Sequence, residues 1–305
     1  MSRSTISTFK LFELFPNDKA ARAWLEKLRW PAGPCCPYCG SLDRISHRKV
    51  DSHFCGSCRL TFRLTTGTIF EKSRIPLHKW LYAEYLIVTA RKGISSLQLG
   101  KEIGITQKSA WFLLHRIREA CGNDPTMLQG IIEIDETYIG GKEKNKHRNK
   151  KANMGRGAVG KTAVIGMRER GGRTRAMPIR DVDAATIRPL IDQHVALGST
   201  LHTDEHGSYE GMDGLFYRHE TVNHKAGEYV RDGVTTNGVE SVWAVMKRGV
   251  HGVYHHISRK HTGRYVNEFT FRLNDGDVKR HTLERLTSLS NAAFGPRLTY
   301  KALTA

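Results

Sequence analysis

The spacing of apolar residues divides the chain into a helical part and a part in which strands alternate with helices. Between residues 76 and 120, apolar residues recur every three or four positions, which predicts helices. From 131 to about 273, short strand-like runs are interleaved with helical spacing. A short helical pattern around Trp24 and Leu28 precedes both parts. The pattern therefore predicts an α+β protein of several domains.

These patterns place four segments along the 305 residues. We expect an N-terminal helix and a cysteine-rich module over 1–70, a helical module over 71–124, an α/β domain over 125–274 and a C-terminal tail over 275–305. The chain has no apolar run near the roughly 20 residues of a membrane span, so no membrane partner is expected. The N-terminus lacks the apolar run of a signal peptide, which predicts a cytoplasmic protein.

The charge balance adds a prediction about the partner. The chain carries 48 Lys and Arg against 30 Asp and Glu, a formal net charge of +18, which favours nucleic acid as the binding partner. A basic, glycine-containing run extends from Gly141 to Lys161. It is either a solvated linker or a flexible arm on a phosphate backbone. The second interpretation assigns DNA contacts to Lys142, Lys144, Lys146 and Arg148.

Five of the six cysteines lie between positions 35 and 58. Two C-x2-C pairs, Cys36 with Cys39 and Cys55 with Cys58, have the spacing of a zinc ribbon, in which four thiolates bind one Zn2+ tetrahedrally. Such a site is structural, because no coordination position stays open. Cys35 could replace Cys36 as a ligand, although its spacing to Cys39 is poorer.

The helical module matches a helix-turn-helix pattern. Ser95 or Ser96 is expected to cap a short helix that ends at Gly104, and Thr106 is expected to cap a longer one. The first turn of the longer helix would then face the DNA groove. The candidate DNA contacts there are Lys108, Ser109 and Trp111. The alternative is a three-helix packing element with no DNA contact.

Three acidic residues occupy positions that suit a ribonuclease-H-like domain. Asp135 lies in a strand, Asp204 at the end of a later strand and Glu240 in the last predicted helix of the domain. The predicted order, three strands, a helix, one or two strands and a helix, would bring these acids together although they are far apart in sequence. Carboxylates crowded in one pocket repel one another unless cations neutralise them.

The expected chemistry is metal-dependent attack on a phosphodiester. Carboxylate oxygens suit Mg2+ or Mn2+, and two such ions can serve the attacking and the leaving oxygen. Lys247 follows Glu240 by seven residues and lies on the same helix face. Together with Arg248, it is a candidate contact for flanking phosphates.

Four stretches of the chain resemble the DDE transposases of insertion sequences in the fifteen-ninety-five superfamily. They are IDETYIGGK, HTDEHGSY, TTNGVESVWAVMKRGVHGVYHHIS and KHTGRYVNEFTFRLN. The resemblance implies that Asp135, Asp204 and Glu240 form the catalytic triad. Some relatives carry Asn or His at the third position, so Asn237 is an alternative to Glu240. It also implies a prokaryotic, nucleoid-associated protein that binds terminal inverted repeats.

The sequence therefore predicts a DNA transposase that binds the element ends, cleaves strands and joins the 3′-hydroxyl to target DNA. Joining two ends requires a homodimer or a larger active assembly. The alternative function is a catalytically inactive regulator descended from a transposase, and a nuclease without strand transfer is a further possibility.

Overall fold

The computed structural model describes residues 5–49, 51–122, 124–141, 147, 149, 160–214 and 217–305. Its contacts form two compact units, a terminal unit of Met1–Asn123 with Asp275–Ala305 and a central unit of Asp124–Asn274. The predicted α+β multidomain class is confirmed. Lys142, Lys144, Lys146 and Arg148 of the basic run lie outside the described residues. In the described part of the chain, no helix has the length and apolarity needed to cross a membrane.

The terminal unit begins with two helices and a small antiparallel sheet. Its first elements are α1 (Thr8–Leu14), α2 (Asp18–Arg29), β1 (Ile45–Lys49), β2 (Ser52–Cys55) and β3 (Thr61–Phe62). Between β1 and β2 lies Asp51, a residue type that favours turns.

Three helices follow, α3 (Leu77–Thr89), α4 (Ser96–Ile103) and α5 (Gln107–Ala120). Ser95, not Ser96, caps α4, because its Oγ accepts a hydrogen bond from the Gln98 amide at 3.1 Å. Thr106 caps α5 in the same way through the Ser109 amide at 3.2 Å. Gly104 ends α4 in the left-handed conformation with φ +66°, which favours glycine. The helix boundaries therefore agree with the helix-turn-helix pattern.

The segment after residue 275, expected as a C-terminal tail, contains two helices. It forms α9 (Thr282–Ala292) and α10 (Tyr300–Thr304), and α9 packs against α2 and α3. The buried Arg285 guanidinium donates hydrogen bonds to the Val88 carbonyl and to Thr282 Oγ1. Leu283, Leu286 and Leu289 recur every third residue in α9, and Leu286 and Leu289 are fully buried, so this helix also has an apolar face of its own.

The central unit is a mixed five-stranded sheet with helices on both faces. Its elements are β4 (Ile131–Ile139), β5 (Thr162–Glu169), β6 (Thr174–Ile179), α6 (Ala184–His194), β7 (Thr200–Asp204), β8 (Arg218–Val222), α7 (Asn237–Gly249) and α8 (Thr262–Leu273). The strand order in the sheet is β6-β5-β4-β7-β8; β5 is antiparallel to β4 and β6, and β7 is parallel to β4 and β8.

Each face of this sheet has its own apolar core. Ile132 and Ile134 of β4 pack in one cluster with Ile187 and Ile191 of α6. The opposite face packs against α7 and α8 through residues such as Val164, Val239, Trp243 and Phe269. Since side chains alternate along a strand, the odd-numbered residues Glu133 and Asp135 of β4 face α7.

Candidate functional site

The four cysteines of the two C-x2-C pairs form a compact cluster. Their sulfur atoms all lie within 4.8 Å of one another, and the Cys36–Cys58 and Cys39–Cys55 sulfur pairs are each 3.6 Å apart. Zn–S bonds of about 2.3 Å in a tetrahedron place sulfurs about 3.8 Å apart, so the donor set fits Zn2+. The cluster therefore has the arrangement of a zinc ribbon.

Two equivalent backbone turns bring these sulfurs together. The Gly40 amide donates to the Cys36 carbonyl at 2.9 Å, and the Arg59 amide donates to the Cys55 carbonyl at 2.8 Å. The residue after the second cysteine of each pair is left-handed, with φ +72° at Gly40 and +60° at Arg59. The Cys35 thiol instead contacts the Gly40 carbonyl at 3.5 Å. Cys35 thus lies outside the cluster.

Asp135 and Asp204 lie on neighbouring parallel strands. The register pairs Glu133 of β4 with His202 of β7, and each aspartate follows two residues later. Strands lie about 4.8 Å apart, and paired residues of parallel strands point to the same face. The two aspartates therefore share the face that α7 covers, at the carboxyl end of β7.

Trp243 connects Asp135 to α7. The indole Nε1 donates a hydrogen bond to Asp135 Oδ2 at 2.8 Å. The ring lies so close to β5 that a Cβ on Gly166, the partner of Asp135 in β5, would be 2.4 Å from it. Glycine at position 166 thus makes room for the indole that contacts the aspartate.

Burial raises the pKa of Asp135 to about 6, against the hydrogen bonds from Trp243 and from the Glu136 backbone. The nearby charges of Asp204 and Glu240 raise it further. Burial and like charges favour the protonated form of this carboxyl, and a bound cation would favour the ionised form. Asp204 and Glu240 therefore both lie near enough for their charges to act on the Asp135 carboxyl.

Glu240 lies in the first turn of α7 and is partly exposed. Its Oε1 accepts a hydrogen bond from Thr236 Oγ1 at 3.1 Å and lies 3.6 Å from His224 Nε2. The alternative third ligand, Asn237, has an exposed side chain, and its backbone amide donates to Thr235 Oγ1 at 3.1 Å.

Glu136 is an acid at this site that sequence analysis does not select. Burial raises the pKa of its carboxyl to about 7, the Tyr209 hydroxyl donates a hydrogen bond that opposes this, and the charges of Asp135 and Asp204 raise it. Tyr209 is almost fully buried. The signal in the sequence is the acid directly after Asp135, at a strand position where the alternation predicts an apolar side chain.

A buried ionic network supports the site from the side of β7. Arg170 donates to Glu133 Oε1 at 3.2 Å and to His202 Nδ1 at 3.2 Å, and the Thr235 amide also donates to that nitrogen at 3.3 Å. With two donors at Nδ1, the proton of His202 is assigned to Nε2, which lies 3.4 Å from Glu220 Oε2. Burial and the neighbouring Arg170 lower the pKa of His202. The network joins β4, β7 and β8, and its members Glu133 and His202 lie two residues before Asp135 and Asp204.

The acids and the cysteines differ in how tightly their ligand atoms gather. In the part of the chain that the structure describes, three or more ligand atoms of His, Cys, Asp or Glu lie within 4.8 Å of one another in the cysteine cluster only. The oxygens of Asp135, Asp204 and Glu240 are less tightly grouped. The acidic centre, formed by Asp135, Asp204 and Glu240, offers carboxylate oxygens, the ligand type that Mg2+ and Mn2+ prefer. In donor chemistry the acids therefore fit a hard divalent cation.

The candidate DNA contacts have different surroundings. Lys247 and Arg248 are exposed on α7. In the terminal unit, Lys108 and Ser109 are exposed on the first turn of α5, and Lys108 Nζ lies 5.2 Å over the Tyr300 ring of α10. Trp111 is partly buried, with its ring 4.4 Å from that of His115.

Comparisons with known proteins match both the cysteine module and the central unit. The family described as "Transposase zinc-ribbon domain" matches residues 16–61, and the family described as "ISXO2-like transposase domain" matches residues 127–274. The second match ends where the central unit ends.

Two relatives are similar over different parts of the chain. An "Uncharacterized protein in transposable element ISH50" of Halobacterium salinarum is 30% identical over 272 residues, covering 85% of this chain and 91% of the relative. An "Uncharacterized transposase-like protein" of Haemophilus influenzae is 27% identical over 101 residues, covering 33% of this chain and 80% of the relative.

A solved structure, the cryoEM structure of the simian T-cell lymphotropic virus intasome in complex with PP2A regulatory subunit B56 gamma, matches with a TM-score of 0.28 and 15% identity. The match covers 65% of this chain and 66% of that one, and its TM-score is too low to define a fold. The two family matches and the long haloarchaeal relative confirm the resemblance that the sequence motifs indicate. The chain belongs to the insertion-sequence transposases with an ISXO2-like transposase domain.

Proposed function

We propose that this chain is an active DNA transposase whose central unit cleaves and joins DNA strands through Asp135, Asp204 and Glu240. The observation that carries the proposal is that the three acids lie near one another. Asp135 and Asp204 lie side by side on parallel strands, and the charges of Asp204 and Glu240 raise the pKa of Asp135. The cost of holding a largely buried Asp135 beside two like charges is one that a metal-dependent phosphoryl-transfer site would explain.

The three carboxylates would hold Mg2+ or Mn2+ beside the scissile phosphate. Bound divalent cations supply positive charge that activates an attacking oxygen and stabilises a leaving one. In the first step water attacks the phosphodiester at an element end and releases a 3′-hydroxyl. In the second step this hydroxyl attacks a target phosphodiester, which releases a 3′-hydroxyl of the target. Trp243 orients Asp135 for both steps through its N–H.

Glu240 is our candidate for the third ligand. Its charge acts on Asp135, whereas the side chain of Asn237 is exposed at the start of α7. Glu240→Gln is therefore expected to abolish cleavage, and Asn237→Ala is expected to retain most of it. The reverse result would assign the role to Asn237.

DNA binding is proposed for both units. Lys247 and Arg248 would contact phosphates near the scissile bond, and Lys108, Ser109 and Trp111 would contact the element ends. The basic residues Lys142, Lys144, Lys146 and Arg148 would add contacts to the backbone. Two ends must be joined to one target, so the active assembly would contain at least two protomers in the bacterial or archaeal nucleoid.

The test is incubation of the purified protein with DNA that carries the ends of its element and Mg2+ or Mn2+. Nicked ends followed by joined products support the proposal. Binding without cleavage would favour an inactive regulator derived from a transposase. Cleavage without joined products would favour a nuclease.

A further inference from the structure

The first turn of α7 is capped by a residue from outside the helix. An N-cap threonine usually accepts a hydrogen bond from a backbone amide of the first turn, but Thr236 makes no such bond. The Val239 amide donates instead to Glu133 Oε2 of β4, at 3.0 Å. Gly238 permits this approach, because a Cβ there would be 2.4 Å from the same oxygen. Glu133 thereby takes over the usual role of the Thr236 hydroxyl.

The Thr236 hydroxyl is then free to act on the candidate third ligand. It donates to Glu240 Oε1 at 3.1 Å, one helical turn away, and Thr236 is 1% exposed. A hydroxyl has one proton to donate, so the bond to the carboxylate leaves its oxygen as an acceptor. The buried hydroxyl is therefore directed at one carboxylate oxygen and needs a donor of its own.

His224 provides that donor. Its Nε2 lies 3.1 Å from Thr236 Oγ1 and 3.6 Å from Glu240 Oε1. The resulting chain runs from the His224 Nε2 proton to the Thr236 oxygen, and from the Thr236 proton to Glu240 Oε1. The tautomer is assigned from this hydrogen-bond network.

The backbone of His224 is anchored to the strand that carries the second acid. Its amide donates to Glu205 Oε2 at 3.0 Å, and Glu205 directly follows Asp204. The Asn223 side chain caps the short turn His224–Ala226 through the Ala226 amide at 3.0 Å. A single turn therefore links the end of β7 to the first residues of α7.

We propose that Thr236 and His224 are positioning residues that hold the Glu240 carboxylate in one orientation for a divalent cation. Thr236 donates to Oε1 directly and His224 acts on it through the Thr236 hydroxyl, whereas within the described part of the chain Oε2 makes no hydrogen bond. Partners that orient a metal-binding side chain typically contribute about 10- to 100-fold in metal affinity. The inference rests on the proposed role of Glu240 and adds the residues that would set its geometry.

Two matched pairs of variants test the inference in the full-length protein. Thr236→Val keeps the shape of the side chain and removes the hydroxyl, whereas Thr236→Ser keeps the hydroxyl. His224→Leu removes the donor, whereas His224→Gln can donate from a similar position. The first readout is Mn2+ binding to the zinc-loaded protein without DNA, followed by electron paramagnetic resonance. The second is the Mn2+ concentration that gives half-maximal cleavage of end DNA.

We expect Thr236→Val and His224→Leu to weaken Mn2+ binding about 10-fold or more and to raise the half-maximal Mn2+ concentration by a similar factor. Thr236→Ser and His224→Gln should stay within about 3-fold of wild type. Thermal unfolding measured on every variant separates a local effect from loss of the fold.

Wild-type Mn2+ affinity in folded Thr236→Val and His224→Leu would overturn the positioning role, provided that Glu240→Gln loses binding. Equal losses in both members of each pair would also overturn it, because shape rather than the donor would then matter. If Mn2+ binding and cleavage are absent in wild type itself, the proposed function fails together with the inference.

Discussion

The cysteine cluster and the acidic centre are two candidate metal sites built on different principles. Two local turns bring the cysteine sulfurs within 4.8 Å of one another. The acids come from β4, β7 and α7, and the register of β4 and β7 places Asp135 beside Asp204. The cysteine turns are held by their own backbone hydrogen bonds. The acids depend on neighbours from several elements, among them Trp243, Thr236 and Glu133.

The difference shows how each site is related to stability. Four soft thiolates that close around one ion contribute folding free energy to a small module. Burial and the charges of Asp204 and Glu240 raise the pKa of Asp135, so its ionised carboxylate opposes folding when no cation is bound. Bound zinc therefore stabilises the cysteine module, whereas the acidic centre without a cation lowers the free energy of unfolding of the central unit.

Loss of a zinc ligand should have the largest effect. Cys36→Ser removes one thiolate from the cluster, so we expect loss of the bound zinc and unfolding of the small sheet. Structural zinc in small modules is associated with about 10–16 kcal/mol of apparent binding free energy. Zinc content by atomic absorption and thermal unfolding measure the effect.

Cys35→Ser is the matched control for this variant. Cys35 lies outside the cluster and its thiol contacts a backbone carbonyl, so zinc content and unfolding should remain as in wild type. If Cys35→Ser loses zinc while Cys36→Ser retains it, the assignment of ligands is wrong.

The acidic centre should respond in the opposite direction. In the absence of a cation, Asp135→Asn should stabilise the protein by about 3 kcal/mol at pH 7, since the pKa of Asp135 is raised from 3.8 to about 6 and each tenfold change in proton affinity corresponds to about 1.4 kcal/mol. Asparagine removes the charge and can still accept the hydrogen bond from Trp243. Urea unfolding at a series of pH values in a buffer that contains zinc but no Mg2+ or Mn2+ measures this gain.

The sign of the pH dependence follows from the raised pKa of Asp135. The folded state binds the proton more tightly than the unfolded state, so wild-type stability falls as the pH rises from about 4 to about 6. The gain in Asp135→Asn should appear over this range and vanish below pH 4. Asp181→Asn, at an exposed surface pair, serves as the control. A destabilised Asp135→Asn at pH 7 would remove the contrast between the two sites.

The smallest effect concerns the phosphate contacts beside the acidic centre. Lys247→Gln should weaken DNA binding and reduce the slope of log affinity against log salt by about one. Lys247→Arg keeps the charge and should retain the slope. Fluorescence anisotropy at several salt concentrations measures both, and an unchanged slope for Lys247→Gln would exclude the contact.

Local patterns predicted most of the fold. The expected caps, Ser95 or Ser96 for α4 and Thr106 for α5, lie at the observed starts of these two helices. The helix α9 was not predicted although Leu283, Leu286 and Leu289 recur every third residue in it, and the α3 residues that it contacts lie far away in sequence. Local spacing carries no information about such partners.

The candidate sites follow the same rule. The spacing of Cys36, Cys39, Cys55 and Cys58 specifies a zinc ribbon, because the geometry of each turn is local. The local pattern did not predict the roles of Glu133, Thr236 and His224, because these roles arise from contacts between distant residues. Glu133 and Val239 are 106 positions apart, and His224 and Thr236 are 12 positions apart. Glu136 was missed for a related reason, as its burial and its bond to Tyr209 depend on the fold.

The central claim is that Asp135, Asp204 and Glu240 are a catalytic centre rather than a structural cluster. The most direct measurement is cleavage of element-end DNA by Asp204→Asn, with binding of the same DNA measured on the same sample by anisotropy. We predict a loss of cleavage of at least about 1,000-fold, equivalent to roughly 4 kcal/mol of transition-state stabilisation, with end binding within a few-fold of wild type. Cleavage at the wild-type rate by folded, DNA-bound Asp204→Asn would contradict the account.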